Sequence, residues 1–242
     1  MKKSYLLIII AIIILIVGIY LNRAYGHIFD NIKLASSDAE RTYILGSSKD
    51  AITYVAIGDS LTAGVGVNDY KDSYPYLVAQ KLSQNNKKVI LKDASYPGYK
   101  TEDVKDKLLD EAIADKPDII TLLIGVNDVR SSVSKETFEN NYKYIVDRLT
   151  TKTNAKIYLI NIPMIGANIL PPYDGYFDSE TKNFNAAIKG LAESYGLGYI
   201  DIYTPTKKEF NKSTDYYSSD LFHPSAKGYA YWTQIIYDYI NH

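Results

Sequence analysis

The sequence contains no cysteine. This excludes disulfides, thiolate metal sites, a cysteine nucleophile and a lipid-modified N-terminal cysteine. It leaves the redox compartment open, because a cysteine-free chain suits either environment. Histidine is almost absent, confined to His27, His223 and His242. No grouping of His, Asp and Glu has metal-ligand spacing, so neither metal nor cofactor is expected. Net charge is also close to nil, at −1 with histidine neutral. Residues 1–26 hold Lys2, Lys3 and Arg23 and no acid, so acids outnumber bases in the remainder. A mildly acidic body argues against a nucleic-acid partner, since that binding begins with a basic surface. Gly64-Val65-Gly66 resembles the start of a phosphate loop, but the third glycine and any Gly-Lys-Ser/Thr are missing, so both nucleotide-binding fingerprints fail.

With 46% hydrophobic and 23% charged residues, the composition is that of a globular chain and excludes wholesale disorder. The 24 tyrosines are read as amphipathic core and surface filler. Tyr5 to Leu21 form an uncharged apolar run. As a helix it spans roughly 26 Å at about 1.5 Å per residue, just enough for a hydrocarbon core of about 30 Å. It is longer than the usual signal-peptide core. Lys2 and Lys3 keep the N-terminus cytoplasmic, so the body is expected outside the cytoplasm. The organisation that follows is a membrane anchor or signal segment over 1–26, a spacer over 27–50 and one domain over 51–242. Ala24-Tyr25-Gly26 is a weak small-x-small cleavage match, and cleavage there would make the body secreted.

The body alternates strand and helix. Strands are expected over 51–57, 88–94, 118–124, 156–162 and 199–203. Helices are expected over 73–82, 102–114, 136–149, 181–195 and 225–240. Five apolar strands alternating with helices predict an α/β fold, a three-layer α/β/α sandwich around a five-stranded parallel sheet. Ligands of such sheets bind beyond the carboxyl ends of the strands, so the loops there are where chemistry is sought.

His223 is the one histidine embedded in the domain. A lone histidine is more often a surface or satisfied core residue than a catalyst. Its context differs, because Asp220 lies three residues earlier, close enough to fix a ring tautomer, and Pro224 opens a helix. Ser60 follows the first strand and Gly58. It could equally be a helix N-cap. Asn127 after Gly125 could be a turn asparagine, and Gly98 after Pro97 a turn glycine. The alternative for these last two is donation to an oxyanion.

Together, in order and spacing, the four segments resemble the SGNH hydrolases, the GDSL esterase/lipase family, across residues 52–242. Gly58-Asp59-Ser60-Leu61 is similar to the first family block, Gly98 to the second, Gly125-x-Asn127-Asp128 to the third and Asp220-x-x-His223-Pro224 to the last. Val126 departs from the pattern, because many relatives carry a second glycine there. The resemblance implies a flavodoxin-like sheet and a serine esterase without metal. Ser60, His223 and Asp220 would form the triad, and Ser60, Gly98 and Asn127 the oxyanion hole. It also implies a small-molecule, lipid or glycan ester as substrate. The expected preference is lipase- or lysophospholipase-like, on short to medium acyl chains. A cell-envelope carbohydrate O-deacetylase is the alternative, and a non-catalytic exported binding protein a remote one. Residues 163–177 read as a long loop whose Met164, Ile165, Ile169 and Leu170 could wall an acyl pocket. The oligomeric state has no signature in the sequence.

Overall fold

The computed structural model describes residues 41–84, 87–164, 166 and 173–241, together with residue 15. The transmembrane helix expected over residues 5–21 lies outside these, apart from Leu15. Among the described residues no helix is long and apolar enough to cross a membrane.

The body is built on one six-stranded sheet: β1 (Thr42–Leu45), β2 (Ala51–Gly58), β3 (Lys88–Ser95), β4 (Ile119–Leu123), β5 (Lys156–Ile160) and β6 (Gly198–Ile200). The spatial order is β1-β3-β2-β4-β5-β6. β3, β2, β4, β5 and β6 are mutually parallel, which is the expected five-stranded parallel sheet in flavodoxin-like order. The sixth strand corrects the expected count. β1 pairs antiparallel with the edge of β3, in a stretch read from the sequence as spacer. Its four residues, TYIL, are too few for their alternation to register.

The helices are α1 (Tyr74–Leu82), α2 (Thr101–Asp103, continuing through a π-type stretch Val104–Leu108 into Leu109–Ala114), α3 (Val126–Arg130), α4 (Lys135–Lys152), α5 (Tyr173–Tyr195), α6 (Tyr203–Phe210) and α7 (Ala226–Asn241). The chain steps from β2 to β3 in one direction and from β3 through β6 in the other. Right-handed crossovers therefore put α1 on one face and α2, α4 and α5 on the opposite face. The packing agrees, with α7 against α1, and α4 against both α2 and α5. Two faces must be covered, so the inner strands are apolar throughout. Tyr54 to Ile57, Ile120 and Leu122 are fully buried.

Two expected boundaries shift, and helices α3 and α6 are additional to the expected ones. The stretch 199–203 ends as strand at Ile200, and Tyr203 instead begins α6, with Pro205 tolerated in its first turn. The helix expected over 181–195 starts at Tyr173, so the last residues of the presumed loop 163–177 are helical.

β1 is clamped from its leading side. Arg41 Nη1 lies 2.9 Å from Asp93 Oδ2, and Nη2 donates to the Ser95 carbonyl at 3.0 Å. The Asp93 side chain is fully buried, and burial raises its carboxyl to about 6 against the opposing pull of Arg41. Removing Arg41 leaves an unpaired buried carboxylate, which costs about 3–5 kcal/mol. The cost is largest above the carboxyl's pKa, where the group carries charge. Arg41→Ala should therefore lower the melting temperature more at pH 8 than at pH 5. Thermal unfolding at both pH values checks this, and an equal loss would show that the Asp93 charge is not what Arg41 serves.

Candidate active site

β2 is hydrogen-bonded to β3 on one side and β4 on the other, and the crossovers diverge from it. The loops after these three strands meet at that switch point, and they carry Ser60, Gly98 and Asn127.

Ser60 lies two residues past β2 and is 6% exposed. The turn is closed by the amides of Thr62 and Ala63 bonding the Asp59 carbonyl, and by the Leu61 amide donating to Asp59 Oδ1 at 2.9 Å. Asp59 thus takes the turn-capping work, and the Ser60 hydroxyl is left to another partner. That partner is His223, whose Nε2 lies 2.9 Å from Ser60 Oγ across 163 residues of sequence. On the other side of the ring, Nδ1 is 2.6 Å from Asp220 Oδ2.

The histidine loop is held from within. Asp220 Oδ1 accepts from Ser218 Oγ at 2.7 Å and from the amides of Phe222 and His223, both at 2.9 Å. Leu221 adopts a left-handed φ of 57°, which folds the chain back so that both amides reach that oxygen. Burial pushes the Asp220 carboxyl up. The hydrogen bond from His223, its charge, Ser218 and the Phe222 amide outweigh burial and hold the group well below the usual carboxylate range. Gly66 explains the glycines that resembled a phosphate loop. A Cβ there would lie 2.4 Å from the Pro224 carbonyl oxygen and 3.0 Å from His223 Cβ, so glycine is what lets the Ser60 loop pass the histidine.

Tyr96-Pro97-Gly98-Tyr99 is a type II turn. Proline takes the first central place, Gly98 takes the second at φ 85°, and the Tyr99 amide bonds the Tyr96 carbonyl at 3.2 Å. The Gly98 amide takes no part in that bond. Asn127 is in the first turn of α3, and its Nδ2 donates to the Tyr99 carbonyl at 3.0 Å. One of its two amide protons is thus spent on fixing the side chain, and the other remains available.

Sequence reasoning passed over Asp128. Its carboxylate is 1% exposed and accepts from the Thr101 amide at 3.0 Å and hydroxyl at 2.6 Å, tying the loop after β4 to the loop after β3. Its only signal was position, as the polar neighbour of Asn127. Of the four residues proposed to wall an acyl pocket, Ile165, Ile169 and Leu170 lie outside the described residues. Met164 borders a small apolar depression, with Leu61, Val126, Phe222, Pro224 and Trp232. Leu61, Val126, Phe222 and Pro224 are the sequence neighbours of Ser60, Asn127 and His223.

A serine hydroxyl bonded to an imidazole that is itself bonded to a carboxylate can act as a nucleophile with its base. The model of the GDSL-like Lipase/Acylhydrolase family matches residues 56–231. A curated relative, the spore germination lipase LipC of Bacillus licheniformis, is 26% identical over 200 residues, covering 74% of this chain and 91% of the relative. A lipase/acylhydrolase from Enterococcus faecalis superposes with a TM-score of 0.66 at 22% identity, covering 78% of this chain and 95% of that one. A variant of an acetyl-xylooligosaccharide esterase from Geobacillus Stearmophilus gives 0.63 at 18% identity, covering 81% and 96%.

Asp59 offers a test of the site's electrostatics. It is fully buried, and Oδ2 has no hydrogen-bond partner among the described residues. Burial raises its carboxyl to about 7, the Leu61 amide opposes, and the charge of Asp128 adds to the rise. The folded chain therefore binds a proton that the unfolded chain has released, so this group's contribution to stability falls as pH rises from about 4 to 7. Asp59→Asn keeps the acceptor for Leu61 and removes the titration. The variant should gain melting temperature relative to the parent as pH rises from 4.5 to 8. A constant difference across that range would show that Asp59 is ionised throughout.

Proposed function

The chain belongs to the GDSL-like lipase/acylhydrolase family and is a hydrolase acting on ester bonds; from that premise we propose that Ser60 is its nucleophile, His223 its general base and acid, and Asp220 the group that orients the imidazole. The observation that carries the reading is the unbroken Asp220–His223–Ser60 chain, at 2.6 and 2.9 Å. His223 takes the Ser60 proton as Oγ attacks the ester carbonyl. The amides of Ser60 and Gly98 and the free Asn127 amide proton receive the oxyanion. His223 then protonates the departing alcohol, and water repeats the sequence on the acyl-enzyme.

The substrate we propose is a lipid-like ester of short to medium acyl chain. The apolar side chains of Leu61, Val126, Met164 and Phe222, gathered beside Ser60, Asn127 and His223, support it. A second reading, carbohydrate O-deacetylation, draws on Tyr96. This side chain is exposed and packs at a tilt against Tyr99, with ring centroids 4.6 Å apart, an aromatic ledge beside Gly98 suited to a sugar ring. A panel of p-nitrophenyl esters of increasing chain length, run beside acetylated glycans, separates the two. The first reading requires kcat/KM to rise from acetate towards medium chains, and the second requires acetate on a glycan to be preferred. We further propose that residues 5–21 anchor the chain with its body outside the cytoplasm. Protease digestion of the body in intact, wall-stripped cells should succeed, and protection would reverse the topology.

Ser60→Ala should abolish turnover and fluorophosphonate labelling while the melting temperature stays close to the parent's. His223→Ala should do nearly the same, because such residues act as a unit. Asn127→Ala should lower kcat by roughly 10²–10³-fold, the cost of one oxyanion donor. Steady-state kinetics and a melting curve on each variant decide it, and full activity of Ser60→Ala would end the proposal.

A further inference from the structure

At the rim of this site Arg130 has no carboxylate partner among the described residues. It closes α3, three residues after Asn127, and on one helical turn such positions share a face. Its guanidinium carbon lies 4.7 Å from the ring centroid of Phe222, which puts it in cation–π range. Phe222 in turn meets the His223 imidazole edge to face, with centroids 4.8 Å apart. Both separations are measured to the same ring, so the guanidinium lies within about 10 Å of the imidazole, roughly a Debye length at 0.1 M salt.

The other arginines of the body have carboxylate partners. Arg41 pairs with Asp93 and Arg148 with Asp110, and several lysines are paired with acids one helical turn away. Arg130 has no such partner among the described residues, and its side chain is exposed. It lies over an aromatic ring instead. An exposed guanidinium with no carboxylate partner among the described residues, next to the oxyanion and histidine loops, is suited to a phosphate by paired charge-assisted bonds.

We propose that Arg130 is a specificity-determining residue that binds a phosphate on the alcohol side of the ester. This deepens the acylhydrolase reading and rests on it. In an acylated glycerol phosphate the phosphorus lies about 7 Å from the ester carbonyl when extended at ordinary bond lengths, which falls within the upper bound on the separation of the imidazole and Arg130. The acyl group would lie on the apolar side chains beside Ser60, and the phosphate would remain at the solvent-facing rim, where its desolvation is small.

The test compares two soluble substrates with the same ester, 1-hexanoylglycerol and 1-hexanoylglycerol 3-phosphate, in the full-length protein. The wild type should favour the phosphate ester in kcat/KM, and that preference should fall as NaCl rises from 20 to 500 mM. Arg130→Gln should lower the phosphate-to-neutral ratio by roughly 10- to 100-fold, the range for a hydrogen bond to a charged group. Arg130→Lys should recover part of it, because charge remains while the planar fork is lost. The salt series uses the unaltered protein, so a poorly folding variant does not remove the test. A wild-type ratio that ignores salt, or an Arg130→Gln ratio equal to wild type, would overturn the proposal. Failure of the acylhydrolase reading itself would register differently, as hydrolysis of both esters surviving Ser60→Ala.

Discussion

Strand β2 is hydrogen-bonded along both edges and buried on both faces, and the geometry of the site is referred to it. A central parallel strand cannot slide without breaking two ladders and turning its apolar side chains out of register. Its last residue, Gly58, pairs with Ser95 on one side and Leu123 on the other, so the three loops that follow start level with one another. The Tyr96 amide then bonds the Gly58 carbonyl at 3.3 Å, carrying that alignment one step into the loop that presents Gly98. Ser60 and both expected oxyanion elements inherit their spacing from backbone pairing, before any side chain contributes.

His223 has no strand to position it. It comes from a loop far along the chain, and a network local to that loop does the work: the carbonyl of His223 accepts from Ser218, an isolated bridge joins Tyr217 to Pro224, and Asp220 collects two amides and a hydroxyl. The Tyr229 hydroxyl, from α7, donates to the Val65 carbonyl at 2.7 Å and ties the helix after the histidine to the loop after the serine. Two separately built pieces are thereby brought into register across the Ser60–His223 contact. Glycine at 66 is the steric condition for it.

The parallel strands were legible because burial on both faces writes a continuous apolar run, as in DAITYVAIG and DIITLLI. The site was legible because its residue types are scarce or placed at strand ends: with one embedded histidine, few pairings with a serine at a strand terminus were possible. What escaped had no periodic signal. β1 is four residues on an edge. α6 begins where a buried side chain supplies its cap: Asn161 Oδ1 accepts the amides of Ile202 and Tyr203, a contact between residues 41 positions apart and more. Asp128 is one acid among 28 acidic residues, distinguished only by burial against Thr101, which no local pattern reports.

Three aspartates near the reacting atoms show how one residue type acquires different charge states. Asp220 is partly buried but surrounded by donors, so it stays ionised and can stabilise an imidazolium. Asp59 and Asp128 have carboxyls raised by burial, and the charge of Asp128 raises Asp59 further. A full negative charge at Asp59, the residue before Ser60, would oppose charge developing on a substrate oxygen. With the carboxyl raised to about 7, that opposition is reduced near neutral pH while the Leu61 cap is kept. The donors around Asp220 and their scarcity around Asp59 place the negative charge behind the histidine, where an imidazolium forms, and keep it away from the side where an oxyanion would form.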